Sequence, residues 1–130
     1  MAEGLITLAS AHSATETASR LDRALADKGV TIFARIDHAA NANTAGMALA
    51  PTLLLIFGNA KGGTPLMQMN QAIGIDLPLK ALVWHNASGK TWLSYNDPAW
   101  LARRHGLDAG SPPVTAMATL LAALAETATA

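Results

Sequence analysis

The stretch Leu79-Lys80-Ala81-Leu82-Val83-Trp84-His85-Asn86-Ala87-Ser88-Gly89-Lys90-Thr91-Trp92-Leu93-Ser94-Tyr95 decides the fold class. Two runs rich in β-branched and aromatic residues flank Asn86-Ala87-Ser88-Gly89, a hairpin turn by its residue types. Strands Leu79–His85 and Lys90–Tyr95 are therefore antiparallel neighbours, which argues against a doubly wound parallel sheet.

Reading outward, Pro51–Phe57 is a fully apolar strand, and such a strand is buried on both faces or in a dimer. Val30–Asp37 alternates, with Ile32, Ala34 and Ile36 against Thr31, Phe33 and Arg35. Leu5–Ala9 is the first strand. Ser13 and Glu16 have capping-box spacing and open a helix over Ser13–Lys28, with Ala18, Leu21 and Leu25 on one face and Gly29 as its stop. Ser111-Pro112 opens the last helix, through about Thr127, with Val114, Met117, Leu121 and Leu124 in register. Three short helices are expected between the strands. One lies within His38–Leu49, after a loop. Another begins at Thr64-Pro65, read as N-cap and N1, after a Gly58–Gly63 loop. The third is capped by Asp97-Pro98 and ends near Gly106. The expected fold is α+β: one mostly antiparallel sheet packed by two main helices. The end, Glu126–Ala130, is expected to fray.

Composition narrows the function classes. The 130 residues suit one domain, spanning 1–130 with its core at about 5–125. Nine basic residues balance nine acidic ones, which argues against a nucleic-acid partner. Without cysteine there is no disulfide, thiolate metal site or thiol nucleophile. No apolar run is long enough to span a membrane, and the acidic start Met1-Ala2-Glu3-Gly4 lacks a signal-peptide n-region. The expectation is a soluble, cytoplasmic chain. A neutral surface favours self-association.

Several blocks resemble a known family. Phe57-Gly58-Asn59-Ala60-Lys61-Gly62-Gly63-Thr64-Pro65-Leu66-Met67 is similar to the F-G-N-P-K-x-G-T-x-L-M block of the family called domain of unknown function 302. Ile36-Asp37-His38-Ala39-Ala40, Gly74-Ile75-Asp76-Leu77-Pro78-Leu79-Lys80, Val83-Trp84, Ser94-Tyr95-Asn96-Asp97-Pro98 and Leu101-Ala102-Arg103-Arg104-His105-Gly106 follow in the family's order. The resemblance implies a β-α-β4-α, TBP-like fold, often a homodimer, and no established reaction. Ala60 stands where the family commonly has Pro, so that loop is expected to be less rigid.

Seven residues are candidates for a ligand site: His38, Asn59, Lys61, Thr64, Asp76, Lys80 and Tyr95. The glycines and Lys61 before a helix start at Thr64 suit a small anion, although the spacing is not that of a P-loop. Asp76 and Lys80 flank Leu77-Pro78-Leu79, an invitation to pair or to do acid–base work. His38 ends a strand and Tyr95 ends the hairpin, both places where side chains reach ligands or merely brace loops. These groups would meet in a shallow polar pocket at neighbouring strand ends. The leading reading is a homodimeric domain that binds a small anionic ligand, with no cofactor. Whether it is an enzyme stays open. One alternative is a small acid–base enzyme acting on an anionic metabolite. The other is a haem or metal binder using His38 or His105, although no local His pair has metal-ligand spacing. Arg103, Arg104 and His105 complement the dipole of a helix end.

Overall fold

The computed structural model describes residues 2–130. Its core is a five-stranded antiparallel sheet of order β1-β5-β4-β3-β2, built from β1 (Leu5–Ala9), β2 (Thr31–Asp37), β3 (Thr52–Gly58), β4 (Leu79–His85) and β5 (Thr91–Asn96). The hairpin of β4 and β5 pairs Trp84 with Trp92 and Ala81 with Tyr95. The α+β architecture expected from the sequence is the one observed.

Two helices cover one face of this sheet, α1 (Ala14–Asp27) and α5 (Pro112–Thr129). Leu21, Ala24 and Leu25 of α1 meet Val114, Met117, Leu121 and Leu124 of α5 in the same buried cluster as Leu55, Phe57, Ala81, Val83 and Leu93. Those strand residues share a face because their cross-strand partners coincide: Leu55 opposite Ala81, and Val83 opposite Leu93. Ser13 caps α1 by accepting the Glu16 N–H at 3.1 Å. The reciprocal half of the capping box is absent, because the Glu16 carboxylate accepts from Arg23 instead. Gly4 sits at φ +76° with the Trp100 ring against its Cα, so any side chain there would collide with the indole.

The opposite face of the sheet carries Ala34, Ile36, Leu54, Ile56, Leu82, Trp84 and Trp92, and none of them is fully buried. The apolar strand β3 is thus two-sided in a specific way. Leu55 and Phe57 point into the core, and Leu54 and Ile56 lie on this other face.

Four local expectations need correction. The helix expected within His38–Leu49 after a loop is α2 (His38–Thr44) and follows β2 directly, because Asp37 itself accepts the Ala40 N–H at 2.9 Å and caps it. The Gly58–Gly63 loop does not exist. Helix α3 (Ala60–Met69) starts one residue after Asn59, whose Oδ1 accepts the Gly62 N–H at 2.7 Å. Thr64 is therefore inside a helix and not its cap, and Pro65 lies in the helix interior, where it withholds one intrahelical hydrogen bond. A 3-10 helix, Gln71–Asp76, fills the approach to β4. Finally, α5 runs to Thr129. Its end is docked by bonds from the Ala11 N–H to Thr129 O (2.9 Å), from Arg20 to Thr127 O and Ala130 O, and from His12 to Ala130 O.

Candidate ligand-binding site

Where β3 ends and α3 begins, the chain leaves the sheet and does not return until β4. The gap between α3, the Gln71–Asp76 segment and the first half of α5 is a cavity of about 640 Å³. That size lies within the range of roughly 300–1,000 Å³ common for small-molecule sites. Its walls are chiefly apolar. Met67, Leu77, Pro78 and Leu79 come from the β3–β4 crossover, and Pro113, Ala116, Met117 and Leu120 from α5. Phe33 closes another side. A bulge in β2 between Ile32 and Ala34 takes Phe33 out of the pairing and leaves it 58 % exposed. A bulge of this kind re-aims a side chain, here toward the cavity.

Of the seven residues singled out in the sequence, Asn59, Lys61 and Thr64 line this cavity, and the other four do not. Lys61 is exposed at its mouth and has no carboxylate partner among the described residues. Asn59 is committed to capping α3, so the Gly62 and Gly63 N–H groups are occupied by its side chain and carbonyl and are not free for an anion. The positive element here is the Lys61 side chain, on a helix that starts five residues earlier than expected, with its cap at Asn59 and not Thr64.

Asp76 and Lys80 do not pair. Asp76 faces α4 (Pro98–Arg104), accepting from Arg104 Nη1 at 2.8 Å and bonding His105 Nε2 at 2.5 Å. Burial pushes the Asp76 carboxyl up. The His105 hydrogen bond and the Arg104 charge outweigh this and hold it below the ordinary carboxylate range. Asn70 adds a bond to the His105 carbonyl at 2.8 Å. Together these contacts fasten the Gln71–Asp76 segment to the end of α4. Gly74 and Leu77 flank Asp76 and line the cavity, so the clamp positions one cavity wall. Lys80 reaches only the Pro78 carbonyl, at 3.4 Å.

Tyr95 belongs to the core, 7 % exposed, on the helix-covered face. Burial, and secondarily the Asp97 charge, push its hydroxyl up. His38 begins α2 at the far end of β2, where Asp37 pairs with Leu53. The cavity lies at the end where Thr31 pairs with Gly58. Six residues of strand put about 20 Å between these ends. Among the described residues no three His, Asp or Glu side chains cluster to hold a metal.

Sequence reasoning missed Phe33 and the α5 wall. Strict alternation placed Phe33 on the polar side of its strand, and an aromatic residue there was the available signal. Pro113, Ala116 and Leu120 fall outside the helix's core stripe, and only the tertiary arrangement gives them a role.

The sequence matches the family described as Domain of unknown function DUF302 over residues 6–127. Over 108 residues it is 51 % identical to "Fluoride-specific ion channel FluC 1" of Brucella suis biovar 1, covering 83 % of this chain and 42 % of that protein. The proteins named "Fluoride-specific ion channel FluC 1" of Brucella abortus biovar 1 and "FluC 2" of Brucella melitensis biotype 1 match at the same identity, with 40 % of each covered. The chain therefore spans about two-fifths of the length of these curated relatives. A crystal structure of an uncharacterized conserved protein DUF302 from Bacillus stearothermophilus superposes with a TM-score of 0.86 at 20 % identity, covering 98 % of this chain and 99 % of that one. This last likeness concerns the fold.

Proposed function

We propose, for a chain that belongs to the DUF302 family, that it is a small-ligand-binding domain acting as a homodimer, and that its site is the cavity beside α3. The observation that carries this reading is the cavity itself, apolar on most sides with the unpaired Lys61 at its mouth. Such a site suits a small molecule with an apolar body and an anionic end. The body removes apolar surface from water, at roughly 25 cal/mol per Å², and the anion meets the ammonium in partly desolvated surroundings. The expected ligand thus remains anionic, but the shallow polar pocket gives way to a cavity with apolar walls. The acid–base alternative has less support, since His38, Asp76, Lys80 and Tyr95 do not line one site.

The relatives' name states an ion channel. No helix of this chain's described residues is long and apolar enough to cross a membrane. We propose that the segment shared with those relatives serves them as an accessory domain outside any pore. Native mass spectrometry of freshly purified protein tests the ligand reading. An adduct that carries a carboxylate or other anionic group and is lost in Lys61→Met is expected. An adduct retained in that variant, or one that occupies Phe33→Ala equally well, contradicts it.

A further inference from the structure

Five of the ten glycines take a positive φ, a conformation that only glycine adopts freely. Three more are hemmed in by oxygen or sulfur. A Cβ would lie 3.2 Å from Asn59 Oδ1 at Gly62, 3.3 Å from Met67 Sδ at Gly74 and 3.4 Å from Asp108 Oδ1 at Gly110. Gly58 and Gly63 are the two that remain, and the fold requires glycine at neither. Their φ is not positive, and a Cβ would meet its neighbours at ordinary van der Waals distance. At Gly58 these are Pro78 Cβ at 3.7 Å and Phe33 Cε2 at 3.8 Å; at Gly63, Leu77 Cδ1 at 3.6 Å and Met67 Cε at 3.8 Å. Gly58 ends β3 and Gly63 lies within α3, elements in which glycine is less favourable than alanine. Both glycines line the cavity beside α3, and so do all four of those neighbours.

A glycine that weakens its element and relieves no crowding marks a place where another molecule comes close to the backbone. On the reading of this cavity as the ligand site, we infer that Gly58 and Gly63 determine its specificity. They leave bare backbone for the ligand's apolar body to lie against, and they select a body one atom layer thick, an unbranched alkyl chain or a flat ring. The thickness follows from the distances. Phe33 comes from β2 and Pro78 from the entrance to β4, the strands on either side of β3. A carbon at the Cβ position of Gly58 touches both, so these two walls stand no farther apart than two contact distances. Leu77 and Met67 stand within the same limit of each other beside Gly63. A branched body needs a second layer there and overfills the slot. A methyl on either glycine occupies the space where the body would lie.

The test is calorimetric titration of ligand-stripped protein with octanoate and with its branched isomer valproate, alongside thermal unfolding without ligand. The parent protein should bind octanoate about tenfold more tightly than valproate, as the cost of overfilling a packed contact implies. Gly58→Ala and Gly63→Ala should each bind octanoate about tenfold more weakly than the parent. Each should nevertheless melt about 2–4 °C higher without ligand, because alanine suits both elements better. A residue kept for the fold would move stability the other way. Equal affinity of the parent for the two isomers overturns the proposal. So does undiminished octanoate binding, or a lower melting temperature, in either variant. Where the parent still binds octanoate, those results leave the cavity standing as the ligand site; binding of neither acid by the parent overturns both.

Discussion

At the scale of single residues, Asp76 shows how a side chain can face away from the partner nearest in sequence. Lys80 is four positions on but lies in strand β4, whereas Arg104 and His105, at the end of α4, come to the carboxylate from across the fold. The pairing has a pH signature. A carboxyl held below its unfolded value contributes stability that is present above the ordinary carboxylate pKa of about 3.9 and is lost as pH falls through the lowered folded value. Asp76→Asn should therefore cost about 2 kcal/mol at neutral pH. The difference in melting temperature between variant and parent should shrink in acid, below the ordinary carboxylate range. A difference that persists unchanged into acid would show that the charge plays no part. Phe33 is the converse case. Its identity was visible in the sequence, but the bulge that turns it toward the cavity depends on β2 pairing with β3 and leaves no local mark.

At the scale of elements, what could be read from sequence depended on whether the signal was local. The β4–β5 hairpin, the α1 cap at Ser13 and the Asp97-Pro98 start of α4 each carry their determinant within a few residues, and each stands where expected. Helix α3 does not, because two local signals competed. Thr64-Pro65 has the residue types of a helix start, and Gly62-Gly63 those of a loop. Asn59 nevertheless caps a helix that runs through both glycines. Leu66 anchors it, 2 % exposed in the core, which shows tertiary burial overriding the poor helix propensity of glycine. Asn59→Ala should destabilise the chain by about 1 kcal/mol in denaturant unfolding. It should also weaken ligand binding, since Lys61 stands in the first turn that Asn59 holds. An unchanged unfolding midpoint would mean that the cap contributes nothing. The candidate site was legible only in part for the same reason. Asn59, Lys61 and Thr64 are consecutive enough to be seen together, whereas the α5 wall and the Asp76 clamp are long-range.

At the scale of the whole molecule, the helices cover only one face of the sheet. The other face presents Leu54, Ile56, Leu82 and the stacked pair Trp84 and Trp92, ring centroids 6.2 Å apart, with Lys80 among them and the Lys90 ammonium 4.9 Å from the Trp92 ring. A second copy of the chain laid on this face is the proposed dimer, and its interface should exceed about 1,000 Å² in total. Light scattering should give twice 13.4 kDa at tens of micromolar, and Ile56→Asp should halve that mass. A monomer in the parent protein would refute the assembly. The central claim, that the cavity beside α3 holds an apolar ligand by an anionic end, is tested most directly by calorimetric titration of ligand-stripped protein with a medium-chain fatty acid and with the matching alcohol. The account predicts saturable binding of the acid, much weaker binding of the alcohol, and loss of that difference in Lys61→Met. Equal binding of acid and alcohol to the parent protein, or no binding of either, would contradict it.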